Sequence, residues 1–306
     1  MPAVAAFDVF CLGHAAFDLT LAVAHHPDGD EKMVADGIQL CGGGPSANAA
    51  VAVSRLGGRA GWSGYLGRDI FGEAHRQELI AADIDLRWLV RGEAPSPISA
   101  ILAKPDGHRS VVNYKGQTPW LAADAADFAA VRAGCILLDG HEPLLSATLM
   151  AHAKAHGIPT LLDAGSRRRG TEELAPQVDY LAASRRFALD YCGTNDAHAA
   201  LKQLAAIAPQ VAITLGRDGL LWARGREFGE MAAFPVAVID STGAGDAFHG
   251  AMALGVARGM DWLDLLRFAS AVGALACTQL GARTAIPGAD AVAQFLAERG
   301  QPPLSA

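Results

Sequence analysis

Asp240-Ser241-Thr242-Gly243-Ala244-Gly245-Asp246 joins a β-like run to a helix-like one and carries the strongest fold signal in this chain. A β-like run, Phe234 to Ile239, precedes it, and an apolar helix-like segment, Ala247 to Ala257, follows. A strand that turns through two glycines into a helix leaves several backbone N–H groups unpaired and aimed at one point. The helix dipole adds partial positive charge there, so the turn attracts anions. A carboxylate, Asp246, stands inside the same turn. That placement suggests a base that takes a hydroxyl proton while neighbouring amides hold a migrating phosphoryl group. The heptapeptide alone fits equally well a glycine-rich loop in which Asp246 merely caps the helix.

Outward from this turn, β-like apolar runs alternate with alanine-rich helical stretches. Strands are predicted at Val9 to Gly13, Ala60 to Leu66, Cys135 to Asp139, Pro159 to Asp163, Val178 to Ala182 and Val211 to Leu215. Helices are predicted at Ser46 to Leu56, Phe71 to Ala82 and Ser146 to His156. Short buried strands in such alternation predict an α/β fold, a mainly parallel sheet covered by helices on both faces. Two stretches, Leu19 to Leu40 and Ser96 to Tyr114, alternate apolar and polar residues around Pro27-Asp28-Gly29 and Pro105-Asp106-Gly107. The second reads as a hairpin of Ile98 to Ala103 and Arg109 to Tyr114. Such ribbons serve either as a lid or as ordinary surface hairpins. Without repeats or low-complexity linkers, residues 1–306 read as one domain with a small β appendage at about 19–40 and 96–114.

Composition narrows the function classes. Hydrophobic residues make up 51% and charged residues 19%, which suits a large buried core. A net charge of −7 argues against electrostatic binding to nucleic acid or anionic membrane. No apolar run approaches the roughly 20 residues that span a bilayer. Met1 to Phe7 lacks a basic n-region, and Asp8 interrupts its hydrophobicity, so it does not read as a secretory signal. Five scattered cysteines suggest free thiols in a reducing, cytoplasmic setting. There is no G-x-x-x-x-G-K-[ST] and no G-x-S-x-G, and the G-x-G at Gly243 lacks a third small residue.

Four segments together resemble the ribokinase-like (PfkB) carbohydrate kinases. They are Gly13-His14-Ala15-Ala16-Phe17-Asp18; Gly42-Gly43-Gly44-Pro45-Ser46-Ala47-Asn48 with Gly64 to Gly72; Thr214-Leu215-Gly216-Arg217-Asp218-Gly219; and the Asp240–Asp246 turn with Cys277 to Arg283. The order and spacing match over essentially the whole chain. The resemblance implies a ribokinase-like three-layer α/β/α fold with a β-sheet lid, and an ATP-dependent phosphotransferase acting on a sugar hydroxyl. Asp246 would be the base, and the amides of Gly243, Ala244 and Gly245 the anion hole. Asp18, Gly43, Gly44 and Asn48 match positions that hold sugar hydroxyls, with bare glycines letting the sugar approach the backbone. Thr214, Gly216 and Gly219 match the loop that receives ATP, and Ser184 and Ser270 match further nucleotide-side positions.

Ser184 and Phe187 stand where many relatives carry the Asn and Glu of an N-x-x-E motif. Mg²⁺ is still expected, bridging donor phosphates through water ligands, with Asp163 as an outer-shell carboxylate. The family's monovalent-cation site, built from backbone carbonyls, maps to Asp240, Thr242, Ala276, Gln279, Gly281 and Ala285, so K⁺ is a further expectation. The run Phe268 to Pro287 looks most like ketohexokinase and sulfofructose kinase relatives, which implies a ketohexose such as fructose or a substituted fructose. A nucleoside kinase or ribokinase of the same fold is the alternative, and a silent sugar- or nucleotide-binding regulator is the reading of a different class. Arg109, Asn113 and His141 lie in segments expected to face the acceptor, where they would read a substituent at its far end. A homodimer through the β-lid is expected, because exposed lid edges are commonly masked by pairing.

Other clusters read as bland. His152 and His156 have the i, i+4 spacing of a metal pair but no third ligand nearby in sequence. Arg167-Arg168-Arg169 reads as a solvated cluster, or as the source of one arginine for the donor phosphate. Cys41 and Cys277 read as small buried hydrophobes.

Overall fold

The computed structural model describes residues 7–115 and 118–304, so most of the Met1 to Phe7 stretch read above lies outside the described residues. Along the chain run β1 (Phe7–Leu12), β2 (Ala16–Ala22), β3 (Gly37–Gly43), α1 (Pro45–Arg55), β4 (Ala60–Gly67), α2 (Ile70–Ala81), β5 (Asp85–Gly92), β6 (Ile98–Ala103), β7 (Arg109–Tyr114), β8 (Ala133–Leu138) and α3 (Pro143–His156). There follow β9 (Thr160–Ala164), α4 (Arg169–Leu174), β10 (Tyr180–Ser184), α5 (Arg185–Cys192), α6 (Ala197–Leu204), β11 (Gln210–Thr214), β12 (Leu220–Arg224), β13 (Glu227–Met231), α7 (Ala244–Ala257), α8 (Trp262–Ala276) and α9 (Ala289–Glu298).

The central sheet has nine strands in the order β13-β12-β11-β10-β9-β8-β1-β4-β5, parallel from β5 to β11 and antiparallel through β12 and β13. Period-2 alternation assigns its faces. Val9 and Cys11 of β1, with Cys135 and Leu137 of β8, point into a core shared with α1, α7, α8 and α9. Phe10, Leu12, Ile136 and Leu138 point into a second core against α3, α4, α5 and α6. On β9, Leu161 joins the first core and Leu162 the second, so the next residue, Asp163, returns to the α7 side, where it is buried. The sheet is sandwiched between two helical layers, as alternation predicts.

A second sheet, β3-β2-β6-β7, forms the lid: two antiparallel hairpins joined by the parallel pair β2 and β6. The predicted hairpin strands match β6 and β7 end for end. The first ribbon reaches further than 19–40, from Ala16 to Gly43, so Asp18, Gly42 and Gly43 are themselves lid residues.

Phe234 to Ile239, expected as a strand, belongs to neither sheet. The Ile239 N–H donates to the Cys277 carbonyl at the end of α8 (2.9 Å), and the Phe234 ring meets Phe295 of α9 edge-on. Phe234 and Val236 pack against the core beside the helices, while Val238 and Ile239 are exposed, and the run marks no ladder. Strand β5 went unpredicted because it is an edge strand, whose charges are tolerated by pairs such as Arg87 with Asp85 and Arg91 with Glu73.

Candidate active site

The Asp240–Asp246 turn is built by one buried carboxylate. Asp240 Oδ1 accepts from the Thr242 amide (2.9 Å) and hydroxyl (2.6 Å), and its Oδ2 accepts from the Gly281 amide (2.9 Å). This staples the turn to the loop after α8. Gly243 then adopts a left-handed conformation (φ 75°), and a Cβ there would collide with the Ala282 carbonyl. The amides of Gly245 and Asp246 occupy the first turn of α7, where no intrahelical acceptor exists. The Ala244 amide, expected to join them, is directed instead at the Ser241 carbonyl (3.3 Å), because the turn closes on itself there.

Asp246 is partly buried, and its Oδ2 accepts from Asn48 Nδ2 of α1 at 2.7 Å. The contact depends on close helix packing: a Cβ on Gly250, one turn after Asp246, would fall 2.5 Å from the Ala49 carbonyl. From below, Asp163 Oδ2 lies 3.0 Å from His249 Nδ1, and both side chains are buried. Desolvation, then the Asp163 charge, pushes Asp246 up to about 6 against the opposing pull of Asn48, His249 and Arg109. Burial alone would lower His249, but Asp163 and then Asp246 outweigh it, so its pKa rises. Asp246 is thus a carboxylate held just below neutrality, in the range suited to general-base work.

On the lid, cross-strand register places Cys41, Asp18, Ser99 and Asn113 in one row on one face. Asp18 is buried, and desolvation raises it to about 6 against the Ser99 hydroxyl and Arg283. The glycines serve the chain's own packing rather than a bare approach for the sugar. The place of a Gly43 Cβ is taken by the Asp18 carboxylate, and that of a Gly44 Cβ by the backbone of His14 and Ala15, at φ +94°. Asn113 is exposed, and Arg109, at the turn end of the β6–β7 hairpin, donates to Ser241 Oγ (2.5 Å). The lid sheet therefore touches the Asp240–Asp246 turn directly.

Asp139, at the end of β8, is a hub that sequence reasoning missed. It accepts from the amides of His14 (2.7 Å), His141 (2.9 Å) and Ser46 (3.3 Å), joining three loops beside Asn48. Its carboxyl stays well below the usual carboxylate range: burial would raise it, and His141 with the amide donors outweighs burial. His141 stacks on His14 (4.6 Å between ring centroids), and Arg168 donates to His141 Nε2 (2.6 Å). Of the three consecutive arginines, Arg168 thus turns inward, while Arg167 and Arg169 pair with Glu172 and Glu173 at the surface.

The expected nucleotide residues lie at the carboxyl ends of β10 and β11, where ligands bind in open α/β sheets. Ser184 caps α5, accepting from the Phe187 amide and donating to the Gly165 carbonyl (2.8 Å). Phe187 is fully buried, so the glutamate position of relatives points into the core here. Thr214 ends β11; Gly216 and Gly219 carry positive φ in the turn that follows. Ser270 lies on α8 one turn before Gly273, which packs beneath the Ala244 carbonyl. Of the positions expected to offer carbonyls to a cation, Asp240, Thr242 and Gly281 meet in the Asp240–Gly281 staple, and Ala276 is the last residue of α8.

Among the described residues, no three His, Cys, Asp or Glu side chains are grouped to hold a metal. His152 and His156 bond to backbone carbonyls, as their bland reading requires. Cys41 and Cys277 have pKa values raised by burial, unlike reactive thiols.

The lid carboxylate of Asp18, the Asn48 amide and the Asp246 carboxylate thus act on one another at the open amino end of α7. The family model for pfkB family carbohydrate kinases matches residues 6–289. The chain belongs to this family of phosphotransferases. It is 31% identical over 307 residues to an ATP-dependent ribose-1-phosphate kinase of Halopiger xanaduensis, with 95% of this chain and 98% of that protein covered. To a ribokinase of Bacillus subtilis it is 26% identical over 295 residues, covering 94% and 99%. Among solved structures it is similar to a fructokinase of Xylella fastidiosa with bound ATP: TM-score 0.80, 26% identity, 96% and 99% covered.

Proposed function

We propose that this pfkB kinase transfers the γ-phosphoryl group of ATP to a hydroxyl of a ketohexose, fructose or a substituted fructose, with Asp246 as base. The observation that carries the reading is the half-buried carboxylate of Asp246, raised toward neutrality at the open amino end of α7 and bonded to Asn48. Asp18 and Asn48 would hold vicinal hydroxyls, and the lid would close over them. Asp246 takes the hydroxyl proton, the freed oxygen attacks the γ-phosphorus, and the bond to ADP breaks. The amides of the first turn of α7 face the charge that develops on the moving group. Mg²⁺, when bound with ATP, would supply positive charge at the donor phosphates; the buried Asp163, whose Oδ2 lies 3.0 Å from His249 Nδ1, would serve as an outer-shell carboxylate.

The His14, His141 and Arg168 group beside Asn48 supports a polar or anionic substituent at the far end of the sugar. The Halopiger relative, named for a phosphorylated ribose, makes a pentose acceptor the second reading. K⁺ activation follows from the Asp240–Gly281 staple only as an expectation of the family. No helix among the described residues is long and apolar enough to cross a membrane. Five free cysteines support a cytoplasmic setting.

The lid supports a dimer. The row Leu40, Leu19, Ala100 and Val112 lies on the lid face opposite Asp18, where Ile38, Leu40, Val112 and Tyr114 are exposed. An apolar sheet face of this kind marks an association surface. A coupled ADP-release assay across ketoses, aldoses and nucleosides tests the proposal: turnover with fructose or a substituted fructose is expected. Turnover confined to ribose, ribose 1-phosphate or adenosine would replace the acceptor, and ATP binding with no turnover would favour a regulator.

A further inference from the structure

We propose that Arg283 is a positioning residue for this transfer: it fixes the Asn48 amide with its NH₂ toward Asp246 and, through Glu78, ties that amide to the lid strand at Gly42. The inference rests on the reading of Asp246 as base. A primary amide is nearly symmetric in shape, so nothing in Asn48 itself decides which end meets the carboxylate. The guanidinium decides it, because it carries only donors. Arg283 Nε lies 2.8 Å from Asn48 Oδ1, which leaves Nδ2 to donate to Asp246, a group that only accepts when ionised.

The other partners of Arg283 are acceptors as well. One terminal nitrogen meets His75 Nε2 (2.7 Å), which puts the imidazole proton on Nδ1; burial and the Arg283 charge hold His75 well below its usual pKa. The other meets Glu78 Oε2 (3.2 Å), the oxygen that also accepts from the Gly42 amide (2.7 Å). A Cβ on Gly42 would collide with both Arg283 and His75, so glycine is required there. Arg283 is buried, and Arg55 donates to its carbonyl and to that of Ile286, so the backbone bearing it is held too. One side chain thus joins the loop after α8 to α1, α2 and the lid.

Without Arg283, Asn48 is free to present Oδ1 to the carboxylate, and two acceptors then face each other. Asp163 from β9, His249 from α7, Arg109 from β7 and Asp18 from β2 also act on Asp246 or its neighbour across the cleft, and the substitution leaves each in place.

Arg283→Gln tests this in the full chain. Two readouts serve: the side-chain amide NMR signal of Asn48, assigned by its loss in Asn48→Ala, and ADP release with D-fructose and D-ribose. The wild-type amide is expected to show one exchange-protected proton, and the variant to lose it. With whichever sugar turns over, kcat should fall about 10–100-fold while KM for ATP stays within about twofold. In an Asn48→Ala background the same substitution should cost nothing further, which a merely structural role would not produce. If Arg283→Gln does not fold, Arg283→Lys is read by the same criteria, since its single ammonium cannot hold three divergent acceptors. An unchanged amide signal together with kcat within twofold of wild type overturns the inference. Asp246→Asn with full turnover would instead overturn the base assignment, and the amide signal still decides the role of Arg283.

Discussion

Asn48 reaches Asp246 across the contact of α1 with α7 because Gly250 has no side chain to hold the helices apart. The donor amide sits one residue before Ala49, whose carbonyl lies against Gly250, and Asp246 sits one turn before Gly250. Helix packing and the Asn48–Asp246 contact are therefore one feature. Gly250→Ala should destabilise the fold by about 1–3 kcal/mol, since the neighbouring atom is backbone and must move. Calorimetry at pH 7.5 checks the stability, and ADP release should fall by at least tenfold in the folded fraction. Unchanged stability and activity would show that the helices have room to spare.

The pH profile has a defined sign. Asp246 and Asp18 are both raised to about 6, each by desolvation first and then, in opposite directions, by neighbouring groups. A base works only when ionised, so kcat/KM should fall as pH drops through about 6, with little change between pH 7 and 8. The same shift affects stability. With a folded pKa above the usual 3.8, Asp246 favours the folded state less as pH rises from about 4 to 6, and the deficit stays constant above that. Asp246→Asn should therefore melt higher than wild type at pH 8, by about 1–3 kcal/mol after allowance for partial exposure, and gain little at pH 4. Equal melting at both values would mean that the carboxylate is not held in an unfavourable site.

Arg109 latches the lid to the turn through Ser241. Arg109→Ala should raise KM for the sugar by about 3–30-fold, with kcat less affected, because the lost contact is worth about 1–2 kcal/mol in the closed state. Steady-state kinetics with the sugar varied at saturating ATP reads the split.

The outer lid face should associate. Val112→Lys places a charge at the β7 end of the exposed apolar row, on the face opposite Asp18. Sedimentation should give a dimer for wild type at micromolar concentration and a monomer for the variant; a wild-type monomer would remove the lid interface.

The alternation of apolar strands and helices was legible in the sequence because period 2 and period 3.6 leave different marks, and the ends of β6, β7 and β9 fall within a residue of their predicted places. Asp246, the lid carboxylate Asp18 and Asn48, which the structure brings together, stand out in the sequence through their motifs. Arg283, Asp139, His249 and Arg168 do not, since each owes its place to partners distant in the chain: 235 residues separate Arg283 from Asn48, and 125 separate Asp139 from His14. Phe234 to Ile239 misled for a related reason. Apolar residues that line helices α8 and α9 look, in one dimension, like those that line a sheet.

In the proposed transfer, Asp246 alone removes the proton from the acceptor alcohol. Single-turnover phosphate transfer from ATP, comparing wild type with Asp246→Asn at pH 7.5 on the best acceptor found, tests it most directly. A loss of about 10²–10⁴-fold in rate with ATP affinity unchanged is predicted. Transfer within threefold of wild type would contradict it.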